Sequence, residues 1–282
     1  MKMTLKMTAA VAISGLLGFG VARAAPVGLA ATSALNQVAL EGGGLHQHYT
    51  EWARGFTNPN LPNPLDWASG NIGLLRFSAQ AYHPSRFGPL WGEVRYDFAI
   101  GGTTYIGHMQ SLAPLDTSTH NTTQDVRGRV GYPIDLPYGI TAVPFVEGGY
   151  YRWDRSVASG TPAAIEEVYS NGYVGGGLKA LVSPMHDLVL SASADGGSSI
   201  AGGMSERSPY RVSTNLGNHP YAGLGLQADY RVHGRWHAVA RVAYRYFGYG
   251  ISNTVITTSG AVQEPNSTNM QVRYVFGVAY DF

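Results

Sequence analysis

The feature that most constrains this chain is an alternation of apolar residues with polar or small ones, which is clearest in "NMQVRYVFGVAYDF" at 269–282. From 272 to 282 every even-numbered residue is apolar or aromatic, while the odd-numbered set contains Arg273, Gly277 and Asp281. A period of two residues places the two sets on opposite faces of a β-strand. The segment therefore predicts a strand with one apolar face and one polar or small face.

The same alternation recurs in nine further segments. The clearest are "LWGEVRYDFAI" (90–100), "AGLGLQADYRV" (222–232) and "RWHAVARVAYRYF" (235–247), and weaker ones lie at 38–52, 72–83, 124–134, 140–154, 167–182 and 188–196. Short connections rich in Pro, Gly or Asp, such as 135–139 and 233–235, alternate with long polar ones at 53–71, 102–123, 155–166, 197–218 and 251–268. This organisation predicts an all-β, up-and-down antiparallel arrangement of about ten strands, with a range of about 8 to 12.

The N-terminal residues have the features of a secretory signal peptide. Lys2 and Lys6 precede an apolar run at 7–21, and "ARA" at 22–24 matches the small-x-small pattern of a cleavage site. We therefore predict a signal peptide at 1–24, an N-terminal periplasmic segment at 25–37 and a β-barrel at 38–282. Removal of the signal peptide leaves 16 Lys and Arg against 18 Asp and Glu, and no basic cluster predicts a nucleic-acid partner.

The charged residues indicate which face of the sheet is enclosed. The polar faces carry charges of both signs at mid-strand, for example Glu93, Arg95 and Asp97. The apolar faces mix small residues with Tyr, Phe and Trp near the strand ends, where membrane barrels have aromatic girdles. A membrane barrel exposes its apolar face and encloses its polar face, whereas a soluble barrel does the reverse. The pattern favours a transmembrane β-barrel with short periplasmic turns and long extracellular loops, and a secreted lipocalin-like cup is the alternative.

The chain resembles the small outer-membrane β-barrel proteins of Gram-negative bacteria, a porin-like superfamily. The resemblance rests on the signal peptide, the alternation, the terminal strand "YVFGVAYDF" at 274–282, and the stretches "PFVEGGYYRW" at 144–153 and "PYAGLGLQADYR" at 220–231. It implies residence in the bacterial outer membrane, contact with outer-membrane lipid and lipopolysaccharide, and insertion by the barrel-assembly machinery. In that family the barrel-assembly machinery reads a C-terminal signal made of a final aromatic residue and alternating apolar residues before it. The C-terminus of this chain resembles that signal. The corresponding residues here are Tyr274, Phe276, Val278, Tyr280 and Phe282.

A barrel of about ten strands encloses a narrow lumen, and the alternation predicts that many ionic residues point into it. Because buried charges must be paired, the first interpretation is a salt-bridge network that fills and rigidifies the barrel. The alternative is a narrow channel whose charged rings select small solutes or ions. The lumen-facing charged residues that the pattern predicts are Arg76, Glu93, Arg95, Asp97, Arg127, Arg129, Glu147, Lys179, Asp229, Arg231, Arg241, Arg245, Arg273 and Asp281.

Motifs for catalysis and metal binding are weak. The sequence contains no Asp-x-His pattern, which the ten-stranded outer-membrane protease family carries. The loose candidate for a hydrolase is His219, with Ser205 and Ser208 in the preceding loop. His46 and His48 project to one side of a strand, but spacing places no third metal ligand, and the absence of Cys excludes thiolate ligands. We therefore predict no catalytic residue, no metal and no cofactor.

The function that these observations predict is non-enzymatic: a structural or surface-interaction role for a barrel with a charged, mostly filled lumen. The alternatives are a narrow channel for small solutes or ions and, second, an outer-membrane hydrolase acting on lipid A or peptides. The long loops, including the Asn- and Pro-rich stretch at 56–71 with Trp67, are the expected contact surface for an extracellular ligand. The protein is expected to be a monomer.

Overall fold

The computed structural model describes residues 29–53, 61–86, 88–108, 113–161, 164–209, 211–257 and 260–282. The predicted signal peptide and part of the 56–71 loop lie outside these residues. Within them the chain forms a short α-helix, α1 (Leu29–Ala34), and a 3-10 turn at Pro137–Gly139; the rest of its regular structure is β-strand. No helix in the described ranges is long and apolar enough to cross a membrane.

The strands are β1 (Gln37–Trp52), β2 (Asp66–Ser85), β3 (Gly88–His108), β4 (Pro114–Gly131), β5 (Ile134–Leu136), β6 (Ile140–Val157), β7 (Ile165–Met185), β8 (Leu188–Ser208), β9 (Val212–Gly217), β10 (Pro220–His233), β11 (Trp236–Tyr249), β12 (Val255–Thr257), β13 (Gly260–Val262) and β14 (Asn266–Asp281). Ten of them close into an antiparallel ring in the order β1-β2-β3-β4-β6-β7-β8-β10-β11-β14, and β14 pairs with β1. The short β5 and β9 pair with β6 and β8, while β12 and β13 pair with each other. The predicted fold, a closed up-and-down β-barrel of ten strands, is confirmed.

Several strands extend well beyond the predicted segments. β2 begins at Asp66, so Trp67 is a strand residue rather than part of a long loop, and β3 and β4 occupy most of the stretch at 102–123. The prediction of a loop there was wrong because the outward-facing side chains, such as Thr104, Ser118 and His120, are polar and exposed. Where the outer side of a strand faces water, its side chains can be polar. The alternation of apolar and polar residues that reveals a strand in the sequence is then absent.

A belt of exposed apolar side chains surrounds part of the barrel. Its members include Leu40, Phe77, Val94, Val130, Val146, Leu178, Leu190, Leu224, Val242 and Phe276. Such a belt is the surface that lipid covers on a transmembrane barrel. The short connections lie at one end of the belt, here called the turn end, and the long connections lie at the other, the loop end. In outer-membrane barrels these two ends are periplasmic and extracellular respectively.

The strand wall is much taller than this belt. β3 has 21 residues, which at ~3.4 Å per residue and ~40° tilt span roughly 55 Å, about twice the ~25 Å apolar band of outer-membrane barrels. Exposed apolar side chains on β3 are concentrated at 90–100, and those of β14 at 272–278. The remaining length forms a polar-walled extension at the loop end. Residues in this extension lie outside the bilayer.

The helix α1 lies within the turn end of the barrel. Ala34 and the following residue, Leu35, are buried and pack in a cluster with Trp91 and Phe145. The carbonyl oxygen of Ala34 accepts a hydrogen bond from Gln80 Nε2 at 2.7 Å. The sequence pattern predicted an N-terminal periplasmic segment at 25–37 and did not identify this helix, because six residues are too few to show a 3.6-residue period. The helix narrows this end of the lumen.

Small residues line the seam at which the first and last strands pair. Gly43 on β1 and Gly277 on β14 both lie on the inner face of the barrel. A Cβ atom added to Gly277 would overlap the backbone oxygen of Leu40, and one added to Gly43 would overlap the backbone oxygen of Tyr274. The two strands approach this closely because neither residue has a side chain.

Candidate functional site

The lumen contains three layers of side chains, which together form the candidate functional site. The middle layer is ionic and lies at the level of the belt, the turn-end layer surrounds α1, and the mouth layer lies at the loop end. The structure places all fourteen of the predicted lumen-facing charges at inward positions of their strands. Twelve of them are buried, whereas Arg231 and Asp281, near the turn end, are partly buried.

The first half of the middle layer joins opposite walls of the barrel. Arg76 on β2 makes a bidentate pair with Asp97 on β3, with Nε–Oδ1 at 2.7 Å and Nη2–Oδ2 at 2.8 Å. Arg273 on β14 crosses the lumen, and its Nη1 donates to Asp97 Oδ2 at 2.7 Å and to Asp125 Oδ2 at 2.6 Å. Buried pairs of this geometry hold the strands that carry them in fixed relative positions.

The second half of the middle layer is centred on Glu147 of β6. Arg129 Nε donates to Glu147 Oε2 at 2.8 Å, and its Nη2 donates to Asp195 Oδ1 at 2.6 Å. The hydroxyl of Tyr221 donates to the other oxygen of Glu147 at 2.8 Å. Asp195 was not among the predicted residues, although its position in the alternation of the 188–196 segment gives it the same face as Ser193. That period was the signal that could have found it.

A cavity of about 60 Å³, here called the chamber, lies within the middle layer. The cationic residues that line it are Arg76, Arg95, Arg127, Arg129, Lys179, Arg241, Arg245 and Arg273, and the carboxylates that line it are Glu93 and Asp195. The facing wall contributes the small residues Ser191, Ser193, Gly223, Gly225 and Ala243, together with Leu224, Leu226, Gln227, Val242 and Tyr244 of β10 and β11. The chamber therefore has a strongly positive lining.

Two of the cations that line the chamber have weak partners. Among the described residues, Lys179 has no carboxylate oxygen within 4.0 Å of Nζ, which lies 3.5 Å from Gln80 Oε1. Arg95 Nε lies 3.6 Å from Asp97 Oδ1 and makes no hydrogen bond with the part of the chain that the structure describes. Among the other guanidinium groups that line the chamber, Nε of Arg127, Arg241, Arg245 and Arg273 and Nη2 of Arg245 are buried and have no hydrogen-bond partner in these ranges.

The turn-end layer fixes α1 to the barrel wall. Asp229 accepts a hydrogen bond from His237 Nδ1 at 2.5 Å and another from Gln37 Nε2 at 2.8 Å. Ser33 Oγ, on α1, lies 3.2 Å from His237 Nε2 and donates to the carboxylate of Asp281. These contacts connect the helix with β1, β10, β11 and β14, so α1 is part of the closed barrel rather than a free tail.

The mouth layer is built from aromatic side chains around Arg155. The rings of Trp153 and Tyr169 stack with centroids 5.0 Å apart, and Tyr49 meets Trp153 edge-on at 5.0 Å. The guanidinium carbon of Arg155 lies 4.7 Å from the centre of the Tyr49 ring. This layer was not predicted from the sequence, because aromatic residues were assigned to the lipid-facing girdles. The available signal was position within each strand: Trp153 is an even number of residues from the inward Glu147 on β6, and Tyr169 from the inward Lys179 on β7.

Carboxylates converge on the same layer. Arg155 Nη1 lies 3.2 Å from Glu51 Oε1 and 3.1 Å from Glu167 Oε2, so one guanidinium is shared between two carboxylates. Glu264, just before β14, accepts a hydrogen bond from the Tyr169 hydroxyl. Next to Glu51 on the paired strand β2, Asp66 Oδ2 accepts a hydrogen bond from Tyr105 at 2.9 Å. Negative charge therefore exceeds positive charge in this layer when every carboxyl group is ionised.

Burial shifts the protonation of these carboxyl groups, which lie beyond the belt in the extension of the wall. It raises the pKa of Glu167 to about 7, and neighbouring carboxylates add to the rise while Arg155 opposes it. Burial also raises the pKa of Asp66 and of Glu264 well above their usual ranges, and the charge of Glu51 adds to the rise in both cases. Burial in the mouth layer therefore favours the protonated form of these three carboxyl groups.

We expect the mouth layer to loosen as the pH rises through about 7. A carboxyl group whose pKa is higher in the folded than in the unfolded state stabilises the fold fully below its unfolded pKa of about 4.3, and loses that effect as the pH rises through its folded pKa. The amides of Ser252 and Glu264, which donate to Glu264 O at 2.9 Å and Ser252 Oγ at 2.8 Å, should therefore exchange faster at high pH. The expected loss of protection is at least about tenfold.

Hydrogen exchange measured by mass spectrometry at about pH 5.5 and about pH 8.5, corrected for intrinsic exchange, tests this prediction. The Glu167→Gln variant keeps the size of the side chain but cannot ionise, so it should show a much smaller dependence on pH. Equal corrected protection of the wild-type peptide at both pH values would contradict the prediction.

The weak catalytic candidates are not brought together. The backbone N–H of His219 donates to Ser199 Oγ at 2.9 Å, and Ser205 Oγ lies 3.1 Å from Ser213 Oγ. In the part of the chain that the structure describes, no hydrogen bond joins His219 to Ser205 or Ser208. The two histidines on β1 have separate polar partners: His46 Nδ1 lies 3.1 Å from Asn71 Oδ1, and His48 Nε2 lies 3.2 Å from Thr50 Oγ1. No group of three His, Asp or Glu suited to a metal occurs among the described residues.

The five residues of the predicted assembly signal lie on or next to the outward face of β14. Tyr274, Phe276, Val278 and Phe282 are exposed, with Phe276 at 72%. Tyr280 packs edge-on against Trp236 with ring centroids 5.1 Å apart. This stretch contributes an unbroken apolar surface to the belt at the turn end.

A closed ten-stranded ring, an exposed apolar belt and an ionic lumen together define the fold of bacterial outer-membrane β-barrels. The fold is similar to that of the outer membrane protease OmpT from Escherichia coli, with a TM-score of 0.59 and 10% identity over 87% of this chain and 96% of that chain. It also aligns with the transport unit of the autotransporter AIDA-I from Escherichia coli, at 11% identity and a TM-score of 0.44 over 87% of this chain and 90% of that one.

A third barrel, the translocator domain of the autotransporter NalP from Neisseria meningitidis, aligns at 13% identity and a TM-score of 0.40, with 88% of each chain covered. The sequence matches no protein-family model and no curated protein. At these identities the similarity describes architecture, and a function must be argued from the residues of the lumen and the loop end.

Proposed function

We propose that this chain is an integral protein of the bacterial outer membrane and that its filled barrel has a non-enzymatic role, structural or in surface interaction. The observation that carries the proposal is the ionic network of the middle layer, in which Arg273 reaches across the lumen to Asp97 and Asp125. α1 lies across the turn end, and the aromatic mouth layer lies across the loop end. A lumen obstructed at three levels suits a rigid support for the loop end better than a wide passage.

In this role the belt contacts outer-membrane lipid and lipopolysaccharide, and the outward face of β14 is recognised by the barrel-assembly machinery during insertion. An extracellular ligand would meet the loop end, where long connections are held on a rigid wall. The barrel is proposed to act as a monomer, because its ring of strands leaves no edge to be paired by a second copy.

Conductance in planar lipid bilayers tests the proposal. The refolded wild-type barrel should give no discrete current steps, because α1, the middle layer and the mouth layer together obstruct the lumen. Steps of defined size whose ion selectivity changes in Arg241→Gln, but not in Arg152→Gln, would contradict it. The two variants make the same substitution, yet Arg241 lines the chamber whereas Arg152 pairs with Asp154 on the outer surface, about a third exposed.

The second candidate function is a narrow channel for small solutes or ions. The observation that favours it is the positive lining of the chamber, since a cationic constriction selects anions. Under this alternative, transient displacement of the mouth layer and of α1 would open both ends. Wild-type current steps with a preference for anions would support it.

A further inference from the structure

We propose that the chamber is a binding site for a small oxyanion of the phosphate class. Binding there does not depend on whether the barrel conducts. Three features of the chamber support it: the balance of charge around the cavity, the hydrogen-bond donors that face it, and its size.

The charges around the chamber do not balance. Eight cationic side chains line it, whereas six carboxylates either line it or pair with those cations, which leaves an excess of two positive charges. The six carboxylates are Glu41, Glu93, Asp97, Asp125, Glu147 and Asp195. A charge removed from water is strongly destabilising unless an opposite charge lies near it. A bound dianion would supply the balance.

The lining residues that still have hydrogen-bond donors without partners are of the types that bind oxyanions. Lys179 has no carboxylate within 4.0 Å, Arg95 makes no hydrogen bond with the described residues, and Arg127 and Arg245 each have a buried nitrogen without a partner in the same ranges. Guanidinium groups match the geometry of oxyanions through paired N–H donors, and an ammonium adds a compact point charge. Several such groups on different strands can surround one tetrahedral anion.

The size and the wall of the chamber limit the ligand. A volume of about 60 Å³ is several times the ~10–15 Å³ that one buried water requires. It therefore accommodates a small inorganic oxyanion with a few waters but not a nucleotide or a lipid headgroup. The facing wall is formed by Gly223, Gly225 and Ala243, and a Cβ atom on Gly225 would lie only 2.8 Å from Ser193 Oγ. The space depends on these positions remaining small.

Calorimetric titration of the refolded full-length barrel in detergent with inorganic phosphate tests the proposal, with sulfate and chloride as comparison anions. Protein refolded with phosphate and then desalted is also assayed for retained phosphate, since exchange through the obstructed lumen can be slow. We expect one phosphate per barrel by at least one of these measurements and binding of sulfate in the same site. If neither shows stoichiometric phosphate, or if chloride at equal concentration binds as well, the proposal is wrong.

Two variants locate the site. Lys179→Met should weaken phosphate binding at least about tenfold while leaving the thermal midpoint in phosphate-free buffer unchanged or higher, because it removes a buried charge without a close counter-charge. Ala243→Leu fills the chamber without changing any charge and should abolish binding. Its control, Ala238→Leu, adds the same atoms to the exposed face of the same strand and should bind as the wild type does. Unchanged binding in both Lys179→Met and Ala243→Leu would overturn the assignment to the chamber.

Discussion

Replacing Arg273 by Met should lower the free energy of unfolding of the barrel by about 3–5 kcal/mol, since removing one partner from a buried ion-pair network is strongly destabilising. Arg273 is 3% exposed and donates from one nitrogen to both Asp97, at 2.7 Å, and Asp125, at 2.6 Å. Its loss leaves Asp125 with Arg245 as the remaining close cation, at 3.4 Å. Urea unfolding of the barrel in lipid vesicles, followed by tryptophan fluorescence, measures the loss.

The matched control for this experiment is Arg152→Met. Arg152 pairs with Asp154 at 2.9 Å, but both side chains are about a third exposed, so the expected loss is only ~0–1 kcal/mol. The double variant Arg273→Met/Asp125→Asn should recover part of the stability, because it also removes the charge of the carboxylate that has lost its closest cation. An equal loss in Arg273→Met and Arg152→Met would mean that the middle layer does not hold the barrel together.

The second large effect is expected at the closing seam, where Gly277→Ala should sharply reduce the yield of folded barrel. The added Cβ would overlap the backbone oxygen of Leu40 on the paired strand, and backbone cannot move aside as a flexible side chain can. Overpacking of this kind typically costs about 1–3 kcal/mol, and here it falls on the pairing that closes the sheet. The fraction of protein that migrates in the compact, heat-modifiable form on a gel measures the yield.

Gly92→Ala is the control, because it makes the same substitution on β3 in open surroundings. A Cβ at Gly92 would have its nearest neighbour, the backbone oxygen of Arg129, at 3.9 Å, which is ordinary contact. Its folded yield should match the wild type. Equal yields for Gly277→Ala and the wild type would show that the seam tolerates a side chain and would contradict the prediction.

The sequence was sufficient to predict the barrel because the period of two is imposed by lipid. At the level of the belt the outward residues are apolar, so the sequence identifies β3, β10, β11 and β14 clearly. Arg273 alternates with the apolar residues of β14, and this alone predicts that it faces the lumen. The lengths of the strands could not be predicted in the same way. Above the belt both faces of the wall are polar or mixed, as at Thr104 and Ser118, and the alternation that marked the strands disappears.

The contents of the lumen were predicted only in part. Alternation shows that Arg129 and Glu147 face inward, but their pairing depends on the cross-strand register between β4 and β6. The contact from Arg273 to Asp125 spans the lumen and joins residues 148 positions apart, which no local pattern encodes. The mouth layer was missed for a related reason: Trp153 and Tyr169 have the residue types of an interfacial girdle, and only their parity distinguishes the inside from the outside.

Because the strand wall is much taller than the apolar belt, the layers of the lumen lie at different distances from the bilayer. With the loop end outside the cell, as proposed above, the polar-walled extension holds the mouth layer beyond the lipid headgroups. Glu167 and Glu264 then experience the acidity and salt of the external medium. In the same orientation His237, buried at the opposite end of the barrel, lies on the periplasmic side. A change of pH or salt on one side of the membrane would thus act on the end of the barrel that faces that side. The ionic middle layer lies between the two ends of the barrel.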